Sequence, residues 1–168
     1  MKKYMLVVVL MISTVYSYGI RPAFDVNAGW QYMHMEGHGY NFAVIGLGTT
    51  APYSRYIGLC ADVAAFLLGE QQTSFAVAGN VGFIEMIPTQ FVSPYFKQQV
   101  ILSSTVSGGH SITELGLGGG VGVEFMSNFY ISPFIEGNFG WAYSNVFGSS
   151  SNTIGLSVGG GVRFSWQK

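Results

Sequence analysis

The chain has 168 residues, among them 24 glycines and one cysteine, and a formal net charge of −1. Charged residues make up 9% of the chain and hydrophobic residues 49%, whereas a soluble domain carries about 25% charged residues. This composition excludes a disordered, charge-solvated chain, and the lack of a basic surplus excludes a nucleic-acid-binding protein. It indicates that part of the folded surface faces something other than water.

The first 19 residues have the order of a secretory signal peptide. Lys2 and Lys3 are followed by an apolar run from Tyr4 to Ile12 and then by the small residues of Ser17-Tyr18-Gly19. The run is too short to span a bilayer, and small residues of this kind precede a cleavage site. We therefore predict a signal peptide over residues 1–19, cleavage after Gly19 and a single domain over residues 20–168.

The rest of the chain alternates between large apolar and small or polar residues, and a period of two is typical of β-strands. Most of these segments match the ~9–11 residues that a tilted transmembrane strand needs. Eight segments show the pattern, at residues 23–33, 40–49, 57–68, 75–84, 91–103, 113–125, 130–143 and 153–166.

The chemistry of the two faces predicts which one is inside. One face is mainly glycine, serine, asparagine and alanine, which suits the narrow interior of an eight-stranded barrel. The other face is large and apolar, and its aromatic residues near strand ends are typical of the girdles at membrane interfaces. We therefore predict an all-β fold, a closed antiparallel up-and-down eight-stranded transmembrane β-barrel. The predicted lipid-facing girdle comprises Trp30, Tyr32, Phe139, Trp141, Tyr143, Phe164 and Trp166.

With these features, the predicted domain resembles the small outer-membrane β-barrels of the OmpA/OmpX-like family. The best local match is the alternating, aromatic end Gly161–Trp166, after which this chain adds Gln167 and Lys168. The resemblance implies export to the outer membrane of a diderm bacterium. It also implies outer-membrane lipid and lipopolysaccharide as surroundings, and the barrel-assembly machinery as the partner during insertion.

Four connections are predicted to face outward if the amino terminus lies in the periplasm. All are short, so the chain lacks the long outer loops with which barrels grip host receptors. The predicted outer connections are Met33–Gly39, Gly69–Ser74, Ser104–Ile112 and Ser144–Asn152.

Two short motifs could carry chemistry, but neither has the required pattern. Met33–His38 holds methionine and histidine side chains that suit a soft metal, yet two histidines in a loop lack a fixed ligand set. A histidine, a serine and an acid are the residue types of a hydrolase active site, and they occur together here as His110, Ser111 and Glu114. However, adjacent residues on a strand point to opposite faces, and the His-x-Ser spacing of barrel deacylases is absent. We predict no catalytic residues, no metal site and no cofactor.

Six charged residues occupy positions of the alternating pattern that are predicted to point into the barrel. Buried charges need partners, so we predict an internal salt-bridge network, with a small ion pathway as the alternative. Arg163 is its predicted hub, with Asp25 and Glu136 in reach and Glu124 across the lumen. Phe66, Tyr95 and Phe134 are expected to fill the remaining space. The six charged residues are Asp25, Asp62, Lys97, Glu124, Glu136 and Arg163.

The sequence thus predicts a monomeric, non-enzymatic envelope protein with a largely filled lumen and a structural, envelope-integrity or surface-interaction role. Three alternatives remain open. They are a barrel enzyme that modifies lipid A, a small-solute pore, and a soluble extracytoplasmic barrel that binds an apolar ligand.

Overall fold

The computed structural model describes residues 19–35, 37–68, 75–89, 91–107, 110–127, 129–146 and 149–166. The predicted signal peptide lies outside the described residues except for Gly19. Within these ranges no helix is long and apolar enough to cross a membrane.

The described residues form one closed sheet. Each strand pairs antiparallel with the next, and β8 closes the barrel by pairing with β1 from Asp25↔Arg163 to Tyr32↔Leu156 and beyond. The predicted closed up-and-down barrel is confirmed. Its strands are β1 Ala23–Met35, β2 His38–Pro52, β3 Ile57–Leu68, β4 Phe75–Met86, β5 Val92–Ser107, β6 His110–Phe125, β7 Ile131–Val146 and β8 Ser149–Ser165.

The strands extend further than the alternation indicated at one end of the barrel. The predicted connections Met33–Gly39, Ser104–Ile112 and Ser144–Asn152 are wrong, because most of their residues belong to paired strands. Serine, threonine and asparagine are frequent in turns. However, strands pair through their backbone groups, so the pairing continues where the side chains are polar. The connection Gly69–Ser74 lies outside the described residues.

The two ends of the barrel are distinguished by the chain termini and by the turns that lie there. We call the end with the start of β1 and the finish of β8 the terminal end, and the opposite one the distal end. Three turns lie at the terminal end, between β2 and β3, β4 and β5, and β6 and β7. At the distal end β1 and β2 join through Gly37, whose φ of 82° favours glycine.

Side chains alternate between lumen and outer surface along every strand. On β8, Arg163 is 3% exposed whereas its neighbour Phe164 is 40% exposed. On β7, Phe134 is 2% exposed and Ile135 57% exposed. The polarity is the reverse of a soluble barrel, since charged groups lie inside and aliphatic groups outside.

Candidate functional site in the barrel lumen

Arg163 lies at the centre of the charged groups in the terminal half of the lumen. It is directly opposite Asp25 in the β1–β8 ladder. Its Nε donates to Asp25 Oδ1 at 2.7 Å and its Nη2 donates to Asp25 Oδ2 at 3.0 Å. Its Nη1 crosses the lumen and donates to Glu124 Oε2 at 2.5 Å. One guanidinium therefore holds two carboxylates, which its planar fork of donors suits better than an ammonium would.

Two aromatic rings enclose the same guanidinium. Its Cζ lies 5.6 Å from the centre of the Tyr95 ring and 5.4 Å from that of Phe134. Both rings are buried, and a desolvated cation is attracted to a ring face. Arg163 is thus held both by its ion pairs with two carboxylates and by packing against the rings of Tyr95 and Phe134.

Lys97 holds the other two acids. Its Nζ lies 3.0 Å from Glu136 Oε2 and 3.8 Å from Asp62 Oδ2. Asp62 also accepts from Gln99 Nε2 at 2.5 Å, and Glu136 accepts from Asn138 Nδ2 at 3.2 Å. The predicted reach of Arg163 to Glu136 is therefore not the contact that forms, because Glu136 pairs with Lys97.

Glycines on β6 explain this pairing. Lys97 is opposite Gly120 in one ladder of β6, and Glu136 is opposite Gly122 in the other. Because neither glycine has a side chain, the two charged groups meet across β6. A Cβ at Gly122 would also collide with the ring of Tyr95.

Tyr95 connects the two groups of charges. Its hydroxyl donates to Glu136 Oε2 at 2.9 Å, and its ring lies near both Lys97 and Arg163. The six predicted lumen residues therefore form two ion-pair groups around one tyrosine, the Arg163 group and the Lys97 group. Nothing in the alternation indicated Tyr95 as more than a space-filling residue.

Glu114 is an inward acid that the sequence interpretation left out of the lumen set. It is 5% exposed and lies towards the distal end of β6. Its Oε1 accepts from Thr153 Oγ1 at 2.8 Å and its Oε2 accepts from Ser103 Oγ at 3.1 Å. Like Glu124, it has an even number on β6, and even-numbered side chains of this strand point into the lumen. The alternation along the strand could therefore have predicted its position.

Apolar side chains fill much of the remaining lumen. In the terminal half, Tyr95 and Phe134 pack with Cys60, Ile84, Met86 and Ile20. In the distal half, Phe42 and Phe66 meet edge to face with ring centres 6.2 Å apart, beside Ala76 and Ala78. The three predicted space-filling residues Phe66, Tyr95 and Phe134 are all buried.

The seven aromatic residues predicted to face lipid lie on the outer surface, each at least 40% exposed. Phe164 and Trp166 lie at the terminal end, whereas the other five lie on β1 and β7 closer to the distal end. The terminal turns add further exposed aromatic residues that the strand pattern did not indicate. These are Tyr53, Tyr56, Phe91, Phe129 and Tyr130.

Neither of the two short motifs is described in full, since Glu36 and the side chain of Met35 lie outside the described residues. No group of three or more histidine, cysteine, aspartate or glutamate side chains in the described ranges could hold a metal ion. The side chains of His110 and Ser111 lie outside the described residues. Glu114, the third member of that motif, bonds to Thr153 and Ser103.

Solved structures of small outer-membrane proteins have the same fold. Neisserial surface protein A superposes with a TM-score of 0.70 at 15% identity, covering 86% of this chain and 97% of that one. The outer membrane protein OprG from Pseudomonas aeruginosa superposes with a TM-score of 0.62 at 11% identity, covering 90% of this chain and 98% of that one. No protein-family model matches the chain, and no curated protein matches its sequence. At these identities the likeness establishes the fold.

Proposed function

We propose that this chain is an integral outer-membrane β-barrel with a structural, envelope-integrity or surface-interaction role and no enzymatic activity. The observation that carries the proposal is the reversed polarity of the barrel, with charges buried inside and a continuous aliphatic outer surface. The similarity of fold to two proteins of bacterial surfaces supports the outer membrane as its location. The surroundings we propose are outer-membrane lipid and lipopolysaccharide, with a monomer as the functional unit.

The outer surface supports insertion in hydrocarbon. Val81, Val121 and Val158 are 61–72% exposed on three different strands. Contiguous apolar surface of this extent would drive aggregation in water. A closed barrel leaves no unpaired sheet edge, which is what a bilayer requires of a β-structure.

The spacing of the exposed aromatic residues also fits a bilayer. On β7, Trp141 lies eleven residues after Tyr130, which immediately precedes the strand. With about 3.3 Å per residue and a tilt of roughly 40°, the two are about 28 Å apart along the barrel axis. The apolar band of outer-membrane barrels is about 25 Å tall.

The lumen favours a structural role over a porin-like one. Arg163, Lys97 and the rings between them occupy the terminal half, and Phe42 with Phe66 occupies one side of the distal half. Eight strands leave an interior just wide enough for side chains to fill.

Membrane fractionation with surface proteolysis tests the location. We expect the protein in the outer-membrane fraction, resistant to extraction by alkaline carbonate. Recovery in the soluble periplasmic fraction without detergent would contradict the proposal and favour the soluble barrel.

A pair of lysine substitutions tests which face meets lipid. Val158→Lys should destabilise the refolded barrel by about 2–4 kcal/mol if the residue lies near the bilayer midplane. The control Ile87→Lys changes an aliphatic residue in a terminal turn that is 58% exposed, against 72% for Val158, and should cost much less. Brominated lipids should quench the fluorescence of Trp30, Trp141 and Trp166. Equal effects of the two lysines together with unquenched tryptophans would refute the lipid-facing surface.

Mass spectrometry of lipid A tests the absence of enzymatic activity. We expect lipid A from cells with and without the protein to have the same acyl chains and head groups. A reproducible difference in acylation would instead establish the enzymatic alternative.

A further inference from the structure

One polar side chain lies in the middle of the outer surface of β5. It is the exposed amide of Gln98, six residues after Val92, the first residue of the strand. With about 3.3 Å per residue and a tilt of roughly 40°, this is about 15 Å along the barrel axis. Since the apolar band of outer-membrane barrels is about 25 Å tall, the amide lies near the middle of the band. From Val92 to Leu102 the outward residues of β5 are Val92, Pro94, Phe96, Gln98, Val100 and Leu102.

The Gln98 amide has no hydrogen-bond partner among the described residues. Directly opposite it are Phe83 on β4 and Gly119 on β6. The ring of Phe139 covers Gly119, because a Cβ at Gly119 would lie 2.8 Å from this ring. The amide is thus surrounded by phenyl rings and glycine, whose side chains offer no hydrogen-bonding group.

Outward polar residues of β2 differ from Gln98 in this respect. Asn41 accepts from Trp30 Nε1 at 3.3 Å, and the Thr49 hydroxyl donates to the Ala23 carbonyl at 3.0 Å. Both lie closer to the ends of their strand than Gln98 does. The polar group deepest in the apolar band is therefore the one that needs a partner from outside its own chain.

The chemistry of an amide indicates what this partner is. An amide without a hydrogen bond is costly in hydrocarbon, and polar side chains join protein segments within membranes. An amide has two donors and an acceptor, so two amides can donate to each other. Two barrels inserted in the same direction form a closed pair only around an axis along the bilayer normal, which places each residue at the depth of its copy. The amide of Gln98 is therefore complementary to the same amide of a second copy.

We propose that the outer face of β4, β5 and β6, centred on Gln98, is a contact surface for a second copy of this chain within the membrane. The two Gln98 amides donate to each other at the two-fold axis, and Phe83 and Phe139 surround them. The aliphatic residues further out, such as Val100 and Val121, add little to the affinity because lipid chains solvate them equally well. The association is therefore weak and reversible. It rests on the lipid-facing surface of the proposed function, and the monomer remains the folded unit.

Energy transfer between refolded barrels measures this association. Donor and acceptor dyes are attached in separate samples to a cysteine introduced by Tyr53→Cys, in the turn between β2 and β3, where Tyr53 is 80% exposed. Cys60 is buried and stays unlabelled. The samples are combined in phosphatidylcholine vesicles at a series of protein-to-lipid ratios. We expect more transfer than randomly mixed barrels give, and Gln98→Leu should weaken the association roughly threefold to tenfold, the effect of one polar contact in a bilayer.

Asn41→Leu is the matched control, since it also replaces an outward amide by leucine and should leave the association unchanged. Equal losses for Asn41→Leu and Gln98→Leu would overturn the inference. Transfer no greater than random mixing in these vesicles, which contain only barrel and lipid, would also overturn it and leave lipid or a different membrane protein against Gln98. A barrel that resides in the outer membrane without associating would leave the proposed function standing.

Urea unfolding at high dilution in lipid separates this contact from a role within the monomer. Because the Gln98 amide has no partner in its own chain, we expect Gln98→Leu to keep or raise the urea midpoint. A lowered midpoint would mean that the amide stabilises its own barrel, and it would contradict the proposed contact.

Discussion

The terminal and distal halves of the lumen are filled in different ways. In the terminal half, two cations hold four carboxylates, and Tyr95 connects the two groups. In the distal half, Phe42 and Phe66 pack edge to face, and Glu114 accepts bonds only from hydroxyl groups among the described residues.

This difference determines what each half loses when a residue is removed. Deleting one member of a buried ion pair leaves the remaining charge without a partner, and the cost is that of an unpaired buried charge. Removing a group that bonds to neutral hydroxyls leaves those hydroxyls without a partner but leaves no unpaired charge. The loss of stability is therefore smaller. The terminal half should therefore be more sensitive to changes of charge, and the distal half more sensitive to changes of volume.

The largest effect is expected for Arg163→Ala in the terminal half. The substitution leaves Asp25 and Glu124 buried without their common cation, which costs about 3–5 kcal/mol. Urea unfolding of the refolded barrel in bilayers measures this loss as a lowered midpoint.

Arg163→Lys is the control for this prediction. A lysine keeps the charge but not the fork of donors that binds both Asp25 oxygens, so we expect it to recover only part of the midpoint. An Arg163→Ala barrel with an unchanged midpoint would contradict the role of Arg163 as the centre of the network.

A somewhat smaller effect is expected for Phe66→Ala in the distal half. The change removes a buried ring and its edge-to-face contact with Phe42, at a cost of about 3 kcal/mol. The matched variant Phe139→Ala removes an outer-surface ring that is 55% exposed and should lower the urea midpoint less. If the two variants lost equal stability, the distal cluster would not be a packed core.

Glu114→Gln should have a small effect, of about 1 kcal/mol or less, because an amide oxygen can still accept from Thr153 or Ser103. The comparison variant Glu124→Gln removes a carboxylate from Arg163 and should lower the urea midpoint more. A larger loss for Glu114→Gln than for Glu124→Gln would reverse the proposed difference between the two halves.

No steady conductance is expected from the unaltered barrel, since Arg163, Lys97 and the rings of Tyr95 and Phe134 occupy the terminal half of its lumen. Single-protein recordings in planar bilayers measure this directly. Large, stable channels whose conductance rises with salt concentration would favour the alternative of a small-solute pore.

Much of the architecture could be predicted from local pattern. Alternation gave the number of strands, and for β3 it gave the observed limits of residues 57–68. It failed at the distal end, where Ser104 and Ser144 were assigned to connections although they lie within β5 and β7. At the distal end the alternation of apolar and polar side chains weakens, while the backbone pairing between strands continues.

The partners of the lumen charges could be predicted only in part: Asp25 and Glu124 do pair with Arg163, as expected. Asp25 and Arg163 are directly opposite because β8 closes onto β1, so their contact follows from the topology. Glu136 was expected near Arg163 but pairs with Lys97, because Gly120 and Gly122 leave the space across β6 open. Glu114 was interpreted only as part of a local motif, although its phase along β6 places it in the lumen.

The sequence by itself determined the number of strands, the two faces of each strand and the presence of charged residues on the inward face, since a period of two is a local property of the chain. Only the tertiary structure decided that Glu136 pairs with Lys97, that Tyr95 joins the two groups, and that Ile20 enters the core. The contacts in the lumen join residues up to 138 positions apart. They depend on the register and closure of the whole sheet, which no segment of the sequence encodes alone.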